Sequence, residues 1–244
     1  MVITSLDNSK VKDLIKLQMK KYRDISSKYL VEGEHLIEEA YKAGVLLEVI
    51  LVEGASINID VSHTYVSSNV MKKISVMDTS INMIGLCKKN EDVEITGNHI
   101  LLIDDVQTPG NLGTIIRSAV AFGIDGIVLS NNTVDLYNPK VLRATQGMYC
   151  HLPIIRRDLE EFIKEYKSRD YKIYGTNVVN GVDVRELSAS DREKYCFIVG
   201  NEGNGVREGI QNMCDLNLYI PMNSKVESLN VGVACSILLY ELGR

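Results

Sequence analysis

Leu218-Tyr219-Ile220-Pro221-Met222, then a polar loop, then Glu227-Ser228-Leu229-Asn230 opening into an apolar run from Val231 to Tyr240: this is how the chain closes. The first five residues predict a buried strand stopped by Pro221, which cannot donate to a ladder and restricts the residue before it. Ser228 is placed to N-cap the helix that follows. That helix carries Gly232, Ala234, Cys235 and Ser236 beside Val231, Val233, Ile237 and Leu238. Small residues let a second backbone come close, and an apolar helix of this kind calls for burial on several sides. Taken alone, the stretch reads as a core helix with an ordinary cap.

Working outward, apolar runs at 100–103, 126–129, 152–155, 171–174, 196–199 and 216–220 alternate with helical patterns at 111–122, 139–146, 159–168, 206–214 and 229–242. Such alternation predicts an α/β fold, a parallel sheet with helices on both faces. Ligands of these sheets bind at the carboxyl ends of strands. Ahead of it, the acidic stretch 88–97 reads as a linker. Still earlier, residues 8–22 place Val11, Leu14, Ile15 and Met19 on one helical face. Short strands at 29–31, 46–52, 64–67 and 83–87, with helices at 34–43 and from a cap at Asn69 to 75, complete a small αβα unit. The predicted domains are 1–92 and 98–244.

The totals exclude several classes. A chain of 244 residues, 45% apolar and 24% charged, fits one or two globular domains. No apolar run reaches membrane-spanning length, and the opening Met1-Val2-Ile3-Thr4-Ser5-Leu6-Asp7 lacks the features of a signal peptide. Five cysteines (87, 150, 196, 214, 235) are widely spaced with no Cys-x-x-Cys, and the histidines are scattered. Free thiols in a reducing cytoplasm and no metal site are expected. A net charge of −5 argues mildly against a nucleic-acid partner. Its distribution argues the other way. Lys10, Lys12, Lys16, Lys20, Lys21, Arg23 and Lys28 face only Asp13 and Asp24, a window of net +5. By itself that window is as readily a solvated helix face.

Three segments decide between these readings. They are Asp105-Val106-Gln107-Thr108-Pro109-Gly110-Asn111-Leu112-Gly113-Thr114-Ile115-Ile116-Arg117-Ser118-Ala119; Ile198-Val199-Gly200-Asn201-Glu202-Gly203-Asn204-Gly205-Val206; and Ile220-Pro221-Met222 with Glu227-Ser228-Leu229-Asn230-Val231. The second is neither Gly-x-Gly-x-x-Gly nor a P-loop, so dinucleotide and NTPase functions are disfavoured. A plain glycine-rich turn is its bland alternative. In order and spacing the three resemble the motifs of the SpoU (TrmH-like) branch of the SPOUT RNA methyltransferases. The resemblance spans 98–244, and 1–92 resembles that family's ribosomal-protein-like RNA substrate domain.

The resemblance implies a C-terminal trefoil knot, a homodimer through that knotted region, and S-adenosylmethionine as cofactor. Matched by position, cofactor contacts fall on Thr176, Asn177, Gly200, Asn201, Glu202, Gly205, Ile220, Met222 and Leu229. The implied reaction is methyl transfer to a ribose 2′-hydroxyl of ribosomal RNA. Transfer RNA is an alternative substrate, and a non-catalytic ribosome assembly factor an alternative role. Asn111 (a predicted helix cap), Arg117, Glu202, Ser228 and Asn230 form the implied catalytic centre. A guanidinium does not give up its proton in proteins. Arg117 is therefore expected to clamp a phosphate bidentately beside the reacting ribose, not to act as a base. The lysines at 10, 12, 16, 20 and 21, with Arg23 and Arg143, are expected on RNA. Thr108 stands where an acidic residue is common in the family, and Gly232 where serine is common.

Overall fold

The computed structural model describes residues 2–77, 80–90, 93–177 and 181–243. Glu91 and Asp92 of the expected linker lie outside the described residues. The chain forms two compact units, Met1–Glu91 with Asp135–His151, and Asp92–Val134 with Leu152–Arg244. The stretch Asp135–His151, read from sequence as part of the second domain, thus belongs by its contacts to the first unit.

The first unit runs β1 (Val2–Ile3), α1 (Ser9–Lys16), α2 (Lys20–Ser26), β2 (Lys28–Glu32), α3 (Glu34–Lys42), β3 (Leu46–Val52), β4 (Ser62–Val66), α4 (Ser68–Ile74) and β5 (Met83–Lys88). Its sheet has the order β1-β4-β3-β5-β2, with β5 antiparallel to both neighbours. Val11, Leu14 and Leu17 pack with Ile50, Val70, Met71, Ile74 and Ile84 in one core. The single helix expected over 8–22 is broken. Met19 precedes α2 as its N-cap residue and is 56% exposed instead of packing with Val11 and Leu14. Arg23 fixes the break. Its buried guanidinium donates to the carbonyls of Leu17 (2.9 Å) and Gln18 (2.8 Å) and to the Asp135 carboxylate (2.6 Å). A cation there neutralises the open carbonyl end of α1. α4 is capped by Ser67, whose hydroxyl accepts from the Val70 amide, not by Asn69.

In the second half the chain continues with β6 (His99–Ile103), α5 (Pro109–Ala121), β7 (Gly126–Leu129), α6 (Pro139–Thr145), β8 (Ile154–Arg156), α7 (Leu159–Lys167), β9 (Lys172–Thr176), β10 (Val182–Asp183), β11 (Tyr195–Val199), α8 (Glu208–Gln211), β12 (Leu216–Tyr219) and α9 (Val231–Leu242). α6 belongs to the first unit. Around it, buried Tyr149 meets the Tyr29 hydroxyl at 2.9 Å, and the His151 ring lies 2.7 Å from the Glu39 carboxylate. The second unit is built on a seven-stranded sheet, β10-β12-β9-β11-β6-β7-β8, parallel throughout.

β6 and β11 are almost entirely apolar and buried, as strands covered on both faces must be. From β6 the chain moves out through β7 and β8, then returns to build the other half of the sheet. That reversal sets the carboxyl ends of β12, β9 and β11 side by side. α8 is shorter than the expected 206–214. The N-cap of α9 is Asn230, which accepts from the amides of Gly232 and Val233, and not Ser228 two residues earlier. Among the described residues no helix is long and apolar enough to cross a membrane.

Candidate active site

Beyond the ends of β9, β11 and β12 the second unit holds a cavity of about 660 Å³. This is the size of a site for a nucleoside-sized ligand. Its walls include Thr176 and Asn177 after β9, Gly200, Asn201, Glu202 and Gly205 after β11, Ile220 and Met222 after β12, and Ser228 and Leu229 before α9. All nine residues expected to hold a cofactor are therefore walls of one cavity. Apolar side chains supply flat surface, and loop backbone supplies donors and acceptors along an edge.

The glycine loop after β11 is closed on itself. Asn201 and Gly205 exchange backbone hydrogen bonds of 2.9 Å each way. The Asn201 side chain accepts from the amides of Gly203 and Asn204 and donates to the Asp105 carbonyl at 2.9 Å. A Cβ on Gly200 would sit 2.1 Å from the carbonyl carbon of Gly205. Gly200 is glycine because the loop folds back onto it. Gly205 has φ +69°, the left-handed region that favours glycine.

Side chains from all three motifs form one polar chain. The Glu202 carboxylate accepts from the amides of Gln107 (3.1 Å) and Thr108 (2.8 Å) and from Asn111 Nδ2 (2.9 Å). Asn111 Oδ1 in turn accepts from Asn230 Nδ2 at 2.9 Å, while Asn230 Oδ1 caps α9. Glu202 thereby does for the start of α5 what its own N-cap residue, Thr108, does not, since Thr108 makes no side-chain cap bond. Asn111, expected at the cap, sits inside the first turn. Partial desolvation raises the Glu202 carboxyl, but the bonds from Asn111 and the Gln107 and Thr108 amides prevail and hold it at about 2. Glu202 is thus an anchored carboxylate with no tendency to accept a proton near neutrality.

Arg117 projects from the exposed side of α5, forms no hydrogen bond or ion pair among the described residues, and is not a wall of the cavity. Asn111 and Asn230 are not walls either; Glu202 and Ser228 are. α5 and α9 pack closely. Ser118 and Ser236 hydroxyls lie 2.6 Å apart, and a Cβ on Gly232 would sit 3.1 Å from Thr114 Cγ2, so the two helices approach closely there.

Of the cations expected on RNA, Arg23 is a correction. It is 3% exposed and engaged as described above, so it cannot meet a phosphate. Lys10, Lys12, Lys16 and Lys20 are paired with Glu48, Asp7, Asp13 and Asp24. Lys21 and Arg143 are exposed and have no acidic partner among the described residues.

Two acidic residues received no role from the sequence. Asp104, wholly buried, accepts from the Arg207 amide (2.9 Å) and from its guanidinium Nε (2.8 Å), fixing the wall after β11. Asp105 adopts φ +60° and is held by Ser130, whose hydroxyl donates to its carboxylate at 2.6 Å. Two acids directly after a buried apolar strand were the available signal. Among the described residues no three His, Cys, Asp or Glu side chains are grouped to hold a metal ion.

Residues 98–240 match the SpoU rRNA Methylase family. The chain belongs to this family. Residues 8–85 of this SpoU methylase match the MRM3-like substrate binding domain. Over 245 aligned residues, 98% of both chains, it is 41% identical to the 23S rRNA (guanosine(2553)-2′-O)-methyltransferase RlmP of Bacillus subtilis (strain 168). The crystal structure of an RNA 2′-O ribose methyltransferase superposes with a TM-score of 0.83 at 30% identity, covering 99% of this chain and 98% of the other. The AdoMet-bound rRNA methyltransferase from Sinorhizobium meliloti gives a TM-score of 0.87 at 28% identity, covering 99% and 97%.

Proposed function

We propose that this SpoU methylase transfers a methyl group from S-adenosylmethionine to a ribose 2′-hydroxyl of large-subunit ribosomal RNA, in the cytoplasm. The observation that carries the reading is the meeting of all three motifs at one sheet edge, in a chain whose likeness to a 23S rRNA 2′-O-methyltransferase runs end to end. A guanosine ribose equivalent to that relative's target is the first position to examine. The trefoil knot is proposed with the family fold.

The cavity residues fit the cofactor. Ile220, Met222 and Leu229 offer apolar faces for an adenine ring, and the backbone near Gly200, Asn201 and Gly205 offers polar groups for its edge, with Thr176 and Asn177 beside them. Bound there, the sulfonium supplies an electrophilic methyl. The chain's own residues do the rest. Asn111, Glu202 and Asn230 hold the starts of α5 and α9 in fixed register, and Ser228 meets the ribose at the cavity wall. Arg117 clamps the neighbouring phosphate, acidifying the 2′-hydroxyl and fixing its line of approach, and the hydroxyl proton leaves through that phosphate or a water as the methyl–sulfur bond breaks.

Arg117 lies outside the cavity of its own chain, so a homodimer completes the reading. In it, Arg117 serves the cavity of a second copy. Val233 (45% exposed) and Ile237 (37%) on α9 offer an apolar surface for that contact. Lys21 and Arg143 steer RNA phosphate.

The test is ribose-methylation mapping of ribosomal RNA from cells with and without the gene, with labelled methyl transfer by the purified protein in parallel. Loss of one large-subunit 2′-O-methyl mark, restored by the protein, is expected. No change in any mark, with no cofactor binding by calorimetry at millimolar levels, would leave a non-catalytic RNA-binding factor.

A further inference from the structure

Because α1 and α2 meet at an elbow, the first unit opens a second cavity, of about 540 Å³. Leu14, Leu17 and Leu86 give it an apolar floor, and Tyr22 from α2 stands in its wall with Lys28. Ile25 beside them is 71% exposed, unusual for a large aliphatic side chain. The Tyr22 ring has two cations near it, Lys16 Nζ at 5.9 Å and Lys21 Nζ at 6.0 Å from the centroid. Lys21 and Lys28 have no acidic partner among the described residues, whereas Lys10 and Lys16 do. An aromatic side chain, an apolar floor and the unpaired Lys28 therefore share one concave site, whose carboxylates, Asp13 and Glu48, are answered by Lys16 and Lys10, while Lys21 stands outside the lining beside the Tyr22 ring.

We infer that this elbow receives one unpaired nucleotide of the RNA substrate, its base stacked on Tyr22 and its phosphates met by Lys21 and Lys28. Stacking on an aromatic face accepts any base, because every base has a π-face, and lysines beside it track the backbone. Double-stranded RNA cannot present a free base face to such a recess. An acidic peptide would satisfy the ammonium groups and leave the ring and floor uncovered. The proposal deepens the reading of the chain as an RNA methyltransferase, since it names what the first unit grips. It also explains why the helix is interrupted: a continuous 8–22 helix would place Tyr22 and Ile25 elsewhere and close the recess.

The experiment measures binding of the full chain to fluorescent oligouridylate and oligoadenylate single strands and to an RNA duplex, over a range of salt. Tyr22→Ala is expected to weaken single-strand binding about tenfold or more with an unchanged salt slope, while Tyr22→Phe keeps it. The double variant Lys21→Ala/Lys28→Ala is expected to flatten the salt slope. Ile25→Glu, at a solvent-facing position that folding tolerates, is expected to weaken single strands and leave duplex binding alone. Wild-type affinity in both Tyr22→Ala and Ile25→Glu overturns the proposal. So does tighter binding of duplex than of single strand, or displacement of the RNA by polyglutamate at equal charge. Cofactor binding and methyl transfer, measured on the same proteins, separate the two readings. If wild type transfers no methyl group yet its single-strand binding depends on Tyr22, the enzymatic reading fails and the elbow stands. If transfer proceeds and Tyr22 is indifferent, the reverse holds.

Discussion

In the elbow of the first unit most of the cations, all but Lys21 and Lys28 among the described residues, have been answered where they stand. Four lysines carry acidic partners, and Arg23 is buried against two carbonyls and Asp135. At the sheet edge of the second unit the polar groups are tied just as firmly, but Arg117 is left over. Counting charges along the sequence did not separate the cations that are already paired from those that are not. Seven basic residues in nineteen look like a phosphate trap, yet five of them are paired with acidic side chains, while Arg117 in an apolar helix has no partner among the described residues. An unanswered cation is a stronger functional signal than a crowd of cations.

The contrast breaks most visibly at Arg117. Arg117→Ala is expected to lower methyl transfer by about 10²–10³-fold with cofactor affinity unchanged, the range for losing a preorganised electrostatic group. Arg117→Lys should recover little, because it keeps the charge and loses the fork; near-normal transfer by the Lys variant would show that charge alone suffices there. The buried pair comes next. Asp135→Ala leaves Arg23 buried without its counter-charge, and a loss of about 3–5 kcal/mol in the first unit is expected from chemical denaturation. A loss within experimental error would mean that Arg23 can turn out to solvent.

The caps should show smaller effects. Asn230→Ala removes the α9 cap and should lower stability by about 1 kcal/mol, whereas Ser228→Ala should lower methyl transfer and barely move the melting temperature. The opposite pattern would restore Ser228 as the cap. Least is expected from acid. The Glu202 carboxyl is held below its ordinary value of 4.5, at about 2. Its contribution is therefore complete above pH 4.5 and is lost as pH falls toward 2. Glu202→Gln should flatten the acid limb of the unfolding profile over that window and nowhere else.

The parallel sheet was legible because its strands are short apolar runs separated by helical patterns, and each run met its strand within two residues at either end. The gathering of the cavity walls was legible only through motif order, since Thr176, Gly200, Ile220 and Leu229 share no local pattern. Ser228 and Asn230 are both good cap residues two positions apart, and local chemistry cannot choose between them. The elbow was hidden because residues on both sides of Leu17 keep a helical period; the break is held by Arg23, whose counter-charge, Asp135, lies more than a hundred residues downstream. For the same reason the stretch Asp135–His151 could not be assigned to the first unit. Its anchor, the contact between Tyr29 and Tyr149, links positions 120 apart.

Glu202 lies ninety-one positions downstream of Asn111, and Asn230 a further twenty-eight beyond Glu202. The start of α5 therefore gains its acceptor only in a chain synthesised past Glu202, and the tie from Asn111 to α9 only past Asn230. A fragment stopping before that point would bear Arg117 on a helix whose first turn lacks the carboxylate that holds its amides.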